Sequence, residues 1–213
     1  MKALIVYGGW PGHEPAQVAE VYERELKASG FEVAKADALA ALADAEALKD
    51  LDLIALNWTM GKLAKEEWNG LSAAVASGVG LAGTHGGLGD AFRESTGFQY
   101  MVGGQFVAHP AGIHAYRVHL IDRADPITRG LDHFDIESEQ YYMQVDPTNH
   151  VLATTTFPDS GATVPAVWKR AWGKGRVFYS SIGHVAKDFA VPEVLAITTR
   201  GMVWAAGGKT NVE

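Results

Sequence analysis

Apolar residues in this chain fall in short runs closed by glycine, and between those runs they recur at helical spacing. Ala3–Tyr7 is an apolar run ended by Gly8-Gly9, the pattern of a strand buried on both faces. After Pro15, Val18, Val21, Tyr22 and Leu26 form one stripe that stops at Gly30, which predicts a helix. Phe31–Ala36 alternates apolar and polar, as a strand nearer a sheet edge does. Ala38–Lys49, rich in alanine and leucine, predicts a helix. Leu51–Leu56 predicts a buried strand, Lys62–Ser77 a helix stopped by Gly78, Val79–Ala82 a fourth strand and Leu88–Ser95 a further helix. Strand and helix therefore alternate, which implies right-handed crossovers and a parallel sheet covered on both faces.

The second half reads differently. Ile113–Ile121 and Val151–Phe157 are strand-like with no long helix between them. Val164–Trp172 and Arg176–Ile182 flank Gly173-Lys174-Gly175, a hairpin with a three-residue loop. Pro192–Ala206 is a closing helix, with proline at its start and Gly207-Gly208 after it. The expected architecture is α/β: a doubly wound, mostly parallel sheet with helices on both faces, plus an antiparallel extension. No linker or repeat divides the chain, so residues 1–213 are expected to form a single domain.

Composition narrows the chemistry. Cysteine is absent, which excludes disulfides, thiolate metal sites and a thiol nucleophile. The formal net charge of −7 argues against a nucleic-acid or anionic-membrane partner. No apolar stretch approaches the ~18 residues of a membrane span, and the N-terminal run is shorter than a signal h-region of ~7–15 residues. A cytoplasmic protein is expected.

In open α/β sheets ligands bind beyond the carboxyl ends of the strands, and that rule selects particular loops. The loop after the first strand carries Trp10, His13 and Glu14, and the loop after the third carries Asn57 and Trp58. His85 follows the fourth strand within Gly83-Thr84-His85-Gly86-Gly87, and His184 follows Gly183 after the late hairpin strand. The glycines around His85 suit a tight strand–turn–helix elbow that pushes its central side chain into a site. A phosphate cradle fits less well, because neither a Walker nor a dinucleotide fingerprint is present. The plain alternative is a glycine-rich turn with an incidental histidine. His109, before Pro110, reads as a turn residue; His114, His119, His133 and His150 sit in polar, strand-like segments and need no special role. Glu139 taken alone reads as a solvated charge at a strand edge. No short-range ligand pair such as H-E-x-x-H occurs, so any metal site must be assembled from distant loops.

Together the motifs resemble a known family, the trehalose-utilisation (ThuA-like) proteins. The residues that carry the likeness run from Gly80-Leu81-Ala82-Gly83-Thr84-His85 through Gly103-Gly104-Gln105-Phe106 and His109-Pro110 to Asp125-Pro126-Ile127-Thr128-Arg129-Gly130-Leu131. They continue in Ser138-Glu139-Gln140-Tyr141, Pro165-Ala166-Val167-Trp168, Gly173–Tyr179, Gly183-His184 and Arg200–Gly207. The chain departs from the family where Ser138 and Gln140 stand in place of its usual Asp and Leu, and where Asp125 stands in place of its usual His.

The resemblance implies a class I glutamine-amidotransferase-like (flavodoxin-like) fold, with His85 at the elbow where those enzymes carry cysteine and His184 near their catalytic histidine. With no cysteine, glutamine hydrolysis through a thioester is not available. The expected function is disaccharide utilisation by acid–base chemistry on a sugar or keto-sugar. His85, Glu139 and His184 would be catalytic, and Trp10, His13, Asn57, Trp58, His109 and Tyr141 would bind substrate. A divalent metal, zinc or manganese, is a variant of the same reading, with its ligands unassigned. A non-catalytic sugar-binding or regulatory module is the competing class, and scattered histidines with no common site the plainest one. A homo-oligomer is compatible with the sequence, which identifies no interface.

Overall fold

A computed structural model of the chain describes residues 1–208; residues 209–213, the tail of the expected domain, lie outside the described residues. In chain order the elements are β1 (Lys2–Gly9), α1 (Pro15–Ala28), β2 (Glu32–Ala36), α2 (Ala45–Lys49), β3 (Leu53–Thr59), α3 (Lys65–Ser77), β4 (Gly80–Thr84) and α4 (Gly86–Gly89). They continue as α5 (Thr96–Val102), β5 (Gly104–Ala108), β6 (Ile113–Leu120), β7 (Phe134–Glu139), β8 (Tyr142–Val145), β9 (His150–Thr156), β10 (Thr163–Trp172), β11 (Gly175–Ser180) and α6 (Pro192–Ala206).

Nine strands form one sheet in the order β2-β1-β3-β4-β11-β10-β9-β6-β7, and β5 pairs with β8 separately. From β2 to β11 neighbouring strands are parallel. Beyond β11 every pairing is antiparallel. The expected parallel sheet with an antiparallel extension is therefore present.

Alternate residues of the parallel strands face opposite sides, as a pleated strand requires. Ala3, Ile5, Leu53, Ala55, Ala82 and Phe178 pack on one face with Val18, Tyr22 and Leu26 of α1 and Val194, Ile197 and Met202 of α6. Val6, Ile54, Leu56, Leu81 and Val177 pack on the other with Leu71 and Val75 of α3 and Phe98 and Met101 of α5. Burying one such side chain contributes ~1.5–3 kcal/mol, so the two layers together fix the sheet and the strand ends that carry the site.

Several elements differ from expectation, each for a local reason. The helix expected over Ala38–Lys49 is broken: the Asp44 carboxylate accepts from the Glu46 and Ala47 N–H groups and starts α2 afresh. The one expected from Lys62 begins at Lys65, where Glu67 reaches back to the Ala64 N–H. The helix expected over Leu88–Ser95 lasts one turn, because Asp90 and Phe92 bond instead to Met60 at the end of β3. Trp172 pairs with Gly175, so the late hairpin has a two-residue loop rather than three. Helix α5 and strands β5, β7 and β8 were not foreseen. Among the described residues no helix is long and apolar enough to cross a membrane.

Candidate functional site

His85 follows β4 directly, with φ 47° and ψ −137°. A non-glycine residue there is strained by ~1–3 kcal/mol and persists only where its surroundings hold it. They do: the His85 N–H donates to the Ser180 carbonyl at 2.6 Å, and the His85 carbonyl accepts from the Gly89 N–H at 2.9 Å and the Tyr179 hydroxyl at 3.1 Å. The elbow expected from the glycines is thus formed.

Three other side chains converge on it. His13 ends a 3-10 turn at Pro11–His13 beyond β1, with Nδ1 2.8 Å from Thr59 Oγ1. A Cβ on Gly86 would lie 2.5 Å from the His13 ring, so the missing side chain is what lets that imidazole reach the elbow. His184 lies beyond β11, its N–H donating to Asp188 Oδ2 at 3.0 Å.

Glu139 arrives by another route. Stepping antiparallel from β11 through β10, β9 and β6 to β7 reverses direction four times, so β7 runs the same way as the parallel strands. β6 pairs with β9 only over Val118–Leu120, whereas it pairs with β7 from Ile113 to Val118. The free end of this two-stranded ribbon reaches over the strand ends and delivers Glu139, its last residue on β7. Ser138 Oγ donates to Asp188 Oδ2 at 2.6 Å and ties the ribbon to the His184 loop.

Glu139 Oε2 lies 3.1 Å from His85 Nε2, 3.3 Å from His184 Nδ1 and 3.9 Å from His13 Nε2. His184 Nδ1 and His85 Nε2 are 3.3 Å apart. His85 Nδ1 is 2.8 Å from the Ser181 carbonyl. All four residues are buried. Burial alone would raise the Glu139 carboxyl, but the imidazoles of His13, His184 and His85 that face it outweigh burial and hold it well below the usual carboxylate range. Burial pulls His85 down to about 4, against the opposing effect of Glu139, so the imidazole is neutral at pH 7.

The remaining expected residues divide. The Tyr141 ring lies on His85 with centroids 3.8 Å apart, and burial drives its phenol far above the ordinary range. His109 Nδ1 is 3.9 Å from Glu139 Oε1, with its side chain 43% exposed. Trp10 meets the His13 ring edge-on and is 44% exposed. Asn57 is buried and donates to the Pro15 carbonyl at 3.0 Å, which fixes the start of α1. Trp58 packs over Gly8 and Gly61. Glu139 is not the solvated edge charge its local sequence suggests.

His114, His133 and His150 have partners outside the cluster: Gln140, the Leu120 N–H and Asp122 respectively. Sequence reasoning missed Thr59 and Ser181, which orient two of the imidazoles, and Asp188, which holds the His184 backbone N–H. Serine and threonine near a strand end carry no distinguishing signal, and Asp188 is recognisable only from its burial.

A cleft of about 250 Å³ is lined by Arg93, Gln99, Gln105 and Phe106, and the Phe106 ring packs on Tyr141 at 4.5 Å. A larger one of about 350 Å³, around Lys62, Trp68 and Phe92, includes none of the converging groups. Three imidazoles around one ionised carboxylate can exchange protons, balance developing positive charge or hold a cation.

The trehalose-utilisation (ThuA) family model matches residues 2–205. No match was found among curated proteins. A ThuA-like protein from Parabacteroides merdae superposes with a TM-score of 0.80 at 19% identity, over 98% of this chain and 90% of the other. One from Bacteroides uniformis gives 0.79 at 19% identity, over 96% and 91%. The glutaminase domain of CTPS from Trypanosoma brucei, solved with bound acivicin, gives 0.55 at 12% identity, over 98% and 94%. The fold is thus shared with glutaminases, while the elbow position holds His85 in a chain that has no cysteine. With a family match from end to end of the described fold, the chain belongs to the trehalose-utilisation family.

Proposed function

We propose that this protein is an enzyme of disaccharide utilisation that acts on a sugar or keto-sugar at the His85–Glu139–His184 centre. The observation that carries the reading is the convergence of the three side chains, from β4, β7 and the loop after β11, on a buried elbow. A neutral His85 is free to accept a proton from a carbon beside a carbonyl. A second imidazole gives a proton to the departing glycosidic oxygen. The C–H and C–O bonds break, a C=C bond forms, and the second sugar leaves with the donated proton on its oxygen. Glu139, held ionised, balances the positive charge that develops on the rings, and His109 lies at the exposed rim. The amide and guanidinium groups of the adjoining cleft suit a hydroxyl-rich ligand, with Arg93 already paired to Asp90. Asn57 and Trp58, both engaged in packing, contribute to the shape of the strand ends.

The test is turnover of keto-disaccharides by His85→Ala and Glu139→Gln. Each substitution is expected to lower kcat by ~10²–10⁴-fold, the usual worth of positioned acid–base groups. Unchanged turnover in both variants overturns the proposal. Saturable sugar binding with every candidate sugar recovered intact would identify a binding module instead.

A further inference from the structure

We propose that His13 Nε2, His85 Nε2, His184 Nδ1 and Glu139 Oε2 together bind one divalent first-row metal ion, zinc or manganese. The inference concerns what these atoms hold and does not depend on the identity of the sugar; an ion held by His85 Nε2 would occupy the lone pair that accepts the proton above, so in the loaded centre proton transfer would pass to His109 at the rim.

Spacing is the first argument. Ligand atoms at ~2.0–2.2 Å from a small divalent ion stand ~3–3.5 Å from one another in tetrahedral or octahedral geometry. Here the separations among His85, His184 and Glu139 are 3.1, 3.3 and 3.3 Å. His13 Nε2 stands 3.9 Å from the carboxylate oxygen, and the four atoms all lie within 4.8 Å of one another. Four residues far apart in sequence have therefore been brought to near-ligating distances without large rearrangement.

Proton bookkeeping is the second. A carbonyl oxygen only accepts, so the contact between His85 Nδ1 and the Ser181 carbonyl places the ring proton on Nδ1. That leaves Nε2 as the ring atom turned toward the carboxylate oxygen of Glu139 at 3.1 Å, the position a ligating nitrogen would take. A metal-ligating histidine almost always donates its other ring nitrogen to a carbonyl, carboxylate or water, and the Ser181 contact has that form. The Thr59 hydroxyl beside His13 Nδ1 is placed to do the same for the second imidazole.

Donor chemistry is the third. Imidazole with one carboxylate suits zinc and manganese, and one anion against a dipositive ion leaves net positive charge to polarise a carbonyl oxygen. The group Asp122, Asp125 and His150, with Asp125 buried and His150 exposed, makes a useful contrast. There Asp125 is already neutralised by Lys169, and Asp122 caps the N–H groups of Ala124 and Asp125.

The test uses the full chain, purified without a histidine tag, stripped by chelator and titrated in separate experiments with zinc chloride and manganese chloride. Calorimetry and native mass spectrometry should give one equivalent per chain for at least one of the ions. Glu139→Gln and His13→Gln should each weaken binding by at least ~10-fold, and His184→Ala by ~100-fold or more, against the ~10–100-fold typical of losing only an outer partner. His150→Ala should leave the affinity unchanged. Circular dichroism identifies any variant that fails to fold, and the conservative Glu139→Gln and His13→Gln variants then decide. No saturable binding of either ion by the native chain, or undiminished binding in both conservative variants, overturns the proposal. Because no sugar is present, this result stands apart from the turnover test.

Discussion

His13 occupies space that any side chain on Gly86 would fill, so the geometry of the site hangs on one missing methyl group. Gly86→Ala would bring a Cβ within 2.5 Å of the imidazole, closer than real contacts allow, and the ring has to move. Displacements near ~1 Å cost about 10²-fold in rate at a positioned site. Turnover should fall by about that factor while far-UV circular dichroism stays native; full turnover would mean that His13 is not part of the working geometry. At this scale the sequence was partly legible. His13, His85 and His184 were found because a parallel sheet gathers its ligands beyond strand ends, and each of these histidines follows a strand. Glu139 was found only through the family motif, since a lone glutamate in Ser138-Glu139-Gln140 carries no local mark of burial. The Ser181 carbonyl was invisible, because a backbone atom leaves no trace in composition.

The ribbon of β6 and β7 is the element on which the site closes. Its free end is joined to the His184 loop by the Ser138 hydroxyl on Asp188, a buried carboxylate that also takes the His184 N–H. Ser138→Ala removes one of those two donors and should destabilise by ~1–3 kcal/mol, the cost of a buried charged acceptor left short of a partner. The same change should speed amide exchange at Ile113–Ala115 and Glu137–Glu139, while the parallel strands keep their protection. Uniform protection across both regions would show that the ribbon is held by something other than this bond. The strand itself was within reach of the sequence: Phe134-Asp135-Ile136-Glu137 alternates apolar and acidic, and Phe134, Ile136 and Ser138 are the buried set. Its position was not, because the partial pairing of β6 with β9 follows from sheet geometry and not from any motif.

For the molecule as a whole, stability rests on the two layers packed against the sheet. Trp168 is fully buried in one of them, and its indole N–H donates to the Val102 carbonyl at 2.9 Å. Trp168→Ala removes that volume and strands the carbonyl, at ~3–5 kcal/mol. With ~2–4 °C per kcal/mol for a chain of this length, thermal denaturation should fall by about 6–20 °C. A shift below a few degrees would imply that neighbouring side chains collapse into the space. The proposed metal would act in the opposite sense. An ion at 100 times its Kd would add ~2.7 kcal/mol, a rise of roughly 5–10 °C that should fall by about half or more in Glu139→Gln at the same ion concentration. The fold class was readable throughout, because alternating runs and stripes state which face of each element is buried. Break points such as Asp44 and Asp90 depended on competing backbone partners that no periodicity records.

The overhanging ribbon has a consequence for how such a protein diversifies. The imidazoles belong to loops of the parallel half, while the only carboxylate among the four converging groups is carried on a terminal hairpin joined to the sheet by three residue pairs. The two halves of the site are therefore separable units of inheritance. Exchanging the open end of that hairpin, where β7 ends at Glu139 opposite Ile113, would reset the charge at the elbow, and with it the chemistry, while every strand that positions the histidines stays in register.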